Sequence, residues 1–191
     1  MKANFLSKIE LKNINFGYIG KNVLINEYVN ITQPENVFIN DNVRIDAFTN
    51  LISGGKLFIS NNVHISSFCH LASAGEIFID DFSGLSQGVK VYTILDDYLG
   101  YEPTNPTIPP KYKNDNRKKK TVIGKYVAIG SNSIVMPGVT IGDGVAVGAL
   151  SYVSKNLEPW YVYDGKPARK IYKRNKTMLK KYKKYLAEQC L

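Results

Sequence analysis

The chain has 191 residues, 44% of them apolar and 21% charged, which is enough for one domain with a sizeable core and too apolar for a disordered chain. It has no run of roughly eighteen apolar residues, so no transmembrane helix is expected, and the formal charge of +9 favours anionic partners. No nucleic-acid motif accompanies that charge, so phosphorylated small molecules rank first as partners and nucleic acid is not expected.

The first eight residues, Met1-Lys-Ala-Asn-Phe-Leu-Ser-Lys8, lack the apolar centre and cleavage site of a signal peptide, so neither leader nor anchor is expected. Ser7-Lys-Ile-Glu10 is a capping box that predicts a short helix to about Asn15, and residues 1–18 read as a helical cap. From Ile19 a period of six sets in. Ile19, Ile25 and Ile31 are six apart, as are Ile39, Ile45 and Leu51, then Ile59, Ile65 and Leu71, then Ile79, Leu85 and Val91. The step between sets is eight, so each coil is 20 residues with two inserted at the same corner. Thr93 to Lys120 interrupts the period with Pro103, Pro106, Pro109 and Pro110 and a basic stretch; a long loop inside a compact repeat is commonly functional. The period then resumes at Ile123, Ile129, Val135, Ile141, Val147 and Val153, now in 18-residue coils. Four residues after each come Val127, Ser133, Val139, Val145, Ser151 and Leu157.

A hexapeptide makes one short strand and one turn, and three of them close a triangle with an aliphatic pointing inward from each side. Stacked coils pair their backbones with the coil above and below. A β-sandwich would show period two instead. The residue after each aliphatic is often small or polar, and Asn26, Asn40, Asp46, Ser60, Asp80 and Gly124 are expected to supply the positive φ of the corners. The repeat ends through Pro159-Trp160 and Asp164-Gly-Lys-Pro167, closing a domain of residues 19–174. An amphipathic helix is expected over Thr177–Leu191, within a C-terminal segment 175–191, and the two helices are expected to cap the open ends of the column. Cys69 and Cys190 lie far apart and form no metal spacing, which suits free thiols in a reducing cytoplasm. Handedness does not follow from spacing.

The stretch from Val122 to Ala149 resembles the CoA-binding half of the hexapeptide-repeat acyltransferases, and Asp164-Gly-Lys-Pro-Ala-Arg-Lys-Ile171 is similar to their closing signature. The resemblance covers nearly the whole chain. It is closest to the subgroup that N-acylates dTDP-linked 4-amino-4,6-dideoxyhexoses, of the viosamine and anthrose type. Gly20-Lys-Asn-Val-Leu-Ile25, Asn42-Val-Arg-Ile-Asp46, Val91-Tyr-Thr-Ile-Leu-Asp-Asp-Tyr-Leu-Gly100 and Pro106-Thr-Ile-Pro109 carry it. The resemblance implies an all-β, left-handed parallel β-helix and acetyl-CoA (coenzyme A) as co-substrate, without a metal. It implies a nucleotide-linked amino sugar as acceptor, dTDP-4-amino-4,6-dideoxyglucose foremost, for O-antigen (lipopolysaccharide) or another surface polysaccharide. It further implies a cytoplasmic homotrimer with sites between subunits.

Galactoside- and maltose-type relatives carry a catalytic histidine where this chain has Leu95-Asp96-Asp97-Tyr98. A sugar hydroxyl, with a pKa of about 15, needs a base. A sugar amine near an α-amino group, roughly 8, is partly neutral already and needs mainly positioning. Asp96 is the first choice for the carboxylate that orients the amine, with Asp97 beside it, and the resemblance points to Ser86, Glu76 and His64 as neighbours lining the sugar. The Ser131-Asn132-Ser133 and Gly148-Ala149 corners are expected to offer backbone amides to the pantetheine arm and thioester. Lys166 and Arg169 are expected to meet the CoA phosphates, with Pro167 and Trp160 walling the adenine. Residues 93–120 are expected to line the nucleotide-sugar pocket, with Tyr98, Lys111, Lys113 and Arg117 as candidates there. The alternatives are a sugar O-acetyltransferase with His64 or His70 as base, and a β-helix of another class, carbonic-anhydrase-like or structural. A zinc site there needs three histidines, the chain has two at unsuitable spacing, and the CoA-type closing signature argues further against it.

Overall fold

Strands of two to four residues recur at the expected period and stack into three parallel sheets, as a computed structural model covering residues 4–105, 107–113 and 117–189 establishes. The motif residue Pro106 and the second cysteine, Cys190, lie outside the described residues. The first sheet holds Tyr18–Ile19, Val37–Ile39, Leu57–Ile59, Glu76–Ile79, Lys120–Ile123 and Thr140–Ile141. The second holds Leu24–Ile25, Arg44–Ile45, His64–Ile65, Gly84–Leu85, Ala128–Ile129 and Ala146–Val147. It is extended by Tyr161–Asp164 and the antiparallel Arg169–Lys173. The third holds Asn30–Thr32, Asn50–Ile52, His70–Ala72, Lys90–Tyr92, Ile134–Val135 and Tyr152–Val153.

Register follows the repeat. Ile25, Ile45, Ile65, Leu85, Ile129 and Val147 sit one above another, and the aliphatics of all three sheets from Ile25 onward form one buried column, apart from Ile31 near its start. Burying each such side chain contributes about 1.5–3 kcal/mol. Inside the corners, short hydroxyls and one thiol tie coil to coil. Thr49 Oγ1 donates to the Ser66 carbonyl at 2.9 Å, Cys69 Sγ to that of Ser86 at 3.2 Å, and Ser133 Oγ to that of Gly148 at 2.9 Å. The two-residue insertions and the 93–120 excursion leave at one corner, between the third and first sheets.

The corners themselves differ from expectation. Positive φ occurs at Asn22, Asn42, Asn62, Phe82, Tyr126 and Trp160, and at Phe48, Phe68, Asn132 and Leu150, but at none of Asn26, Asn40, Asp46, Ser60, Asp80 or Gly124. The residue directly after the aliphatic is small for a different reason, close approach of the next coil. A Cβ on Gly124 would stand 2.5 Å from the Asp143 carboxylate, and one on Gly130 2.5 Å from the Ala149 nitrogen. Left-handed backbone costs a side-chain-bearing residue about 1–2 kcal/mol. Here the rings recover much of it by stacking between coils: Phe48 lies 5.5 Å from Tyr28 and 5.2 Å from Phe68, and Phe82 lies 5.4 Å from Tyr126.

The capping box opens a helix, α1 (Lys8–Asn13), with Ser7 and Glu10 bonded reciprocally. Its Leu11 is buried against the first coil. The C-terminal helix, α2 (Met178–Gln189), does not cap the column. Tyr182 packs 4.8 Å from Phe82 and 5.0 Å from Tyr126, and the Tyr185 hydroxyl reaches Asn62 at 3.3 Å, so α2 lies along an edge and points back toward earlier coils. The far end is closed instead by Tyr161–Asp164 and Arg169–Lys173. The aromatic corner residues explain the difference: they offer α2 an apolar edge that a Gly- or Asn-lined corner would lack.

Candidate active site

Outward positions of the second sheet read Leu24, Arg44, His64, Gly84, Ala128 and Ala146. Two bulky cations or potential cations are followed by residues with almost no side chain. The step down at Gly84 makes a groove of about 370 Å³ lined by His64, Ser66, Gly84, Ser86, Gln87 and Ser131, among others. His64 and Ser86, both expected in the site, therefore meet here. The His64 Nε2 lies 2.8 Å from Asp46 Oδ2, and the other Asp46 oxygen accepts from Arg44 Nε at 2.7 Å. Burial alone would raise the Asp46 pKa, but the bonds from His64 and Arg44 more than offset it and hold the group below the usual carboxylate range.

The corner beside the groove carries the residues expected for the thioester, and the structure separates them. Ser133 is buried; its hydroxyl is committed to the Gly148 carbonyl and accepts from Ser151 N, so it faces the column and not a ligand. The Gly148 amide donates to the Tyr163 carbonyl and the Asn132 amide to that of Gln87. The amides of Ser131 and Ala149 make no hydrogen bond among the described residues and stand on the outer surface. They are the donors left for a carbonyl oxygen.

Trp160 lies on another corner, 6.3 Å from Tyr126, with the Lys176 ammonium 5.0 Å from its ring and Gly144 packed tightly against it. Lys166, Pro167 and Arg169 follow on the exposed closing hairpin. Of the chain's 25 Lys and Arg, ten fall between residues 165 and 187, and none of its 16 Asp and Glu do. The rest of the chain is close to neutral, so the positive potential belongs to this hairpin and α2.

The remaining expected residues sit away from the groove. Glu76 is on the first sheet, 3.6 Å from Lys120, at the root of the long loop, where Gly75 N donates to Thr93 Oγ1 and Glu76 N to the Lys119 carbonyl. Asp96 and Tyr98 are exposed on that loop. Asp97 accepts from the amides of Leu99 and Glu102, both at 2.8 Å, which lower its pKa and make it a loop brace. Arg117 pairs with Glu102 at 3.2 Å, Lys113 reaches the Asn105 carbonyl, and Lys111 lies 4.9 Å from the Tyr112 ring. These cations organise the loop. His70 belongs to the third sheet, 5.7 Å from the Tyr92 ring, and burial followed by the Lys90 charge lowers its pKa. Among the described residues no cluster of His, Cys, Asp or Glu is arranged to hold a metal. No helix among the described residues is long and apolar enough to cross a membrane.

Residues 120–155 match the family model "Bacterial transferase hexapeptide (six repeats)". Over 176 residues, 92% of this chain and 91% of the relative, the sequence is 35% identical to the dTDP-4-amino-4,6-dideoxy-D-glucose acyltransferase of Escherichia coli. The chain belongs to the dTDP-amino-sugar acyltransferases of the left-handed β-helix, hexapeptide-repeat family. The fold agrees with this membership: the N-acyltransferase AntD of Bacillus cereus, solved in complex with dTDP and 3-hydroxybutyryl-CoA, superposes with a TM-score of 0.92 at 39% identity over the full length of both chains. A variant of AntD solved with dTDP-4-amino-4,6-dideoxyglucose and coenzyme A gives 0.89 at 40% identity, over 97% of this chain and 98% of that one. The maltose O-acetyltransferase of Clostridium difficile 630, at 24% identity and TM-score 0.56, shares the fold only. These likenesses disfavour the O-acetyl alternative.

Two residues that reach this groove only through His64 carry no obvious sign in the sequence. Asp46 and Arg44 lie inside a motif that supports the resemblance, but only the 20-residue pitch brings Arg44 beside His64 and turns Asp46 toward the imidazole.

Proposed function

We propose that the chain moves an acetyl group from acetyl-CoA to the amine of a nucleotide-linked amino-dideoxy sugar, dTDP-4-amino-4,6-dideoxyglucose first. The observation that carries this is full-length likeness to an N-acyltransferase solved with dTDP, that amino sugar and coenzyme A, together with a groove whose floor is Gly84 and Ala128 and whose walls are His64, Ser86 and Ser131. The groove would admit a thin pantetheine arm. The Ser131 and Ala149 amides would face the thioester oxygen, where donors strengthen as negative charge develops. Lys166 and Arg169, on the cationic hairpin, would meet the CoA phosphates.

Asp96, from the long loop of a neighbouring subunit, would orient the amine, with Glu76 and Tyr98 near the sugar. This requires a homotrimer, since one β-helix has flat faces and no deep cleft. Lys111, Lys113 and Arg117 remain candidates for the diphosphate within the same loop. The setting proposed is cytoplasmic, serving lipopolysaccharide or another surface polysaccharide.

The test is thiol release from acetyl-CoA with a set of nucleotide-linked sugars, alongside sedimentation for the trimer. Turnover is expected with dTDP-4-amino-4,6-dideoxyglucose and not with the matching 4-hydroxy sugar, and Asp96→Asn should lower it by about a hundredfold or more. Equal turnover of the hydroxy sugar would overturn the reading.

A further inference from the structure

We propose that Asp46 is a positioning residue for the acyl transfer, fixing His64 so that its free ring nitrogen receives the proton the acceptor amine sheds. The proposal rests on the amino-sugar reading above and adds a residue and a role to it.

Both Asp46 oxygens are committed, one to Arg44 and one to His64. Arg44 is itself held, its guanidinium 5.4 Å from the Phe5 ring. Phe5 is tied to the first coil by a backbone bridge to Asn26. A chain of contacts therefore runs from the N-terminal segment through Arg44 and Asp46 to the imidazole. It is not a repeat of the coil. The positions equivalent to Asp46 along this corner are Asn26, Ser66, Ser86, Gly130 and Gly148, and those equivalent to the Arg44–His64 pair are Leu24, Gly84, Ala128 and Ala146. The charged trio occurs where the groove begins and nowhere else along this face.

An ionised carboxylate only accepts, so the hydrogen between Asp46 and His64 belongs to Nε2. A neutral His64 is then the Nε2–H tautomer, and Nδ1, which has no partner among the described residues, carries the lone pair on a ring that lines the groove beside Ser86. The His64 side chain is about half exposed, and without Asp46 nothing among the described residues would hold its rotamer or tautomer.

In the reaction, the amine nitrogen forms a bond to the thioester carbonyl carbon, the carbonyl electrons move to oxygen and return, and the carbon–sulfur bond breaks with its pair leaving on sulfur. The extra proton on nitrogen passes to Nδ1 of His64 and from there to the thiolate or solvent, so that amide and free thiol result with no net proton change at the enzyme.

The experiment compares wild type with Asp46→Asn, Asp46→Glu, His64→Asn and the Asp46→Asn/His64→Asn pair. Expected are a fall in kcat of roughly a hundredfold for His64→Asn and about tenfold or more for Asp46→Asn, with both KM values within about twofold. The pair should be no worse than His64→Asn alone, and Asp46→Glu should recover part of the loss. Nitrogen-15 NMR of the neutral His64 ring should show the Nε2–H tautomer in wild type and the Nδ1–H form gaining in Asp46→Asn, whose amide can donate to Nε2. Unchanged kcat in Asp46→Asn, additive losses in the pair, or an Nδ1–H ring in wild type would each overturn the proposal. The NMR result stands even if no amino sugar is turned over by wild type, the outcome that instead defeats the substrate reading.

Discussion

The thiol of Cys69 donates to the carbonyl oxygen of Ser86 at 3.2 Å, from inside the column to a residue that lines the groove outside it. Thr49 and Ser133 make the same bond in other coils, while Val89 fills the equivalent place without one. Cys69→Ser should therefore keep stability and turnover, whereas Cys69→Val should fit but lose the donor. The expected cost is about 1 kcal/mol in urea denaturation, with a drop in thiol release because Ser86 is less firmly held. Burial pushes the Cys69 thiol up to about 11. In a Cys190→Ser background, disulfide-reagent labelling at pH 8 should thus be slow until the protein is unfolded. Rapid labelling of the folded chain would contradict this placement.

Nothing inside the protein requires Gly84 to be small. No atom stands within 4 Å of where its Cβ would be, and its φ is not left-handed. Gly84→Ala should be neutral or stabilise by roughly 0.5–1 kcal/mol, as removing a strand glycine usually does. Gly84→Leu should fold equally well and fill the groove, raising KM for acyl-CoA or sugar severalfold in steady-state assays. Native KM values in Gly84→Leu would mean that no substrate uses this groove.

Arg174 staples the closing hairpin to the corner. Its Nη1 donates to the carbonyls of Tyr126, Gly144 and Val145 at 2.8, 3.0 and 3.2 Å, and burial lowers its pKa. Arg174→Met keeps much of the volume and leaves the Tyr126 and Gly144 carbonyls without this donor, while that of Val145 keeps its bond from the Ala128 amide, at a cost of roughly 1.5–3 kcal/mol. Hydrogen exchange should show α2 losing protection while the strands of the first coils keep theirs. A uniform loss across the chain would show that the hairpin and coils unfold as one unit.

Acid should weaken the fold through Asp46 and Asp81. For Asp81 burial acts to raise the pKa, but hydrogen bonds from Lys125 and Asn61 more than offset it and the net direction is down, as for Asp46. A carboxylate with a folded pKa below its unfolded value of about 3.9 stabilises above that pH, and the contribution is lost as pH falls through the folded pKa. Asp81→Asn should thus be less stable than wild type at pH 7 and converge with it as pH falls below the folded pKa, as measured by urea midpoints across an acid series. A gap that stays constant with pH would remove the ion pair from the account.

The six-residue spacing by itself determined the coil: its length, its insertions, the buried identity of the aliphatics from Ile39 to Val153 and the place of the long loop. It could do so because a column with one inward rung per side demands an aliphatic at every sixth position, and that demand is local. Ser86 and His64 entered as candidates through the family resemblance and not through the spacing, and the stacked coils bring both to one groove. Tertiary structure alone decided the rest. Ring stacking between coils lets Phe82, Tyr126 and Trp160 occupy left-handed corners that local preference reserves for Gly and Asn, and those rings draw α2 to an edge and away from the end. Stacking likewise turned Ser133 inward and Asp46 toward His64. Contacts between residues 15 to 48 apart depend on pitch and register together, and no single coil read alone contains that information.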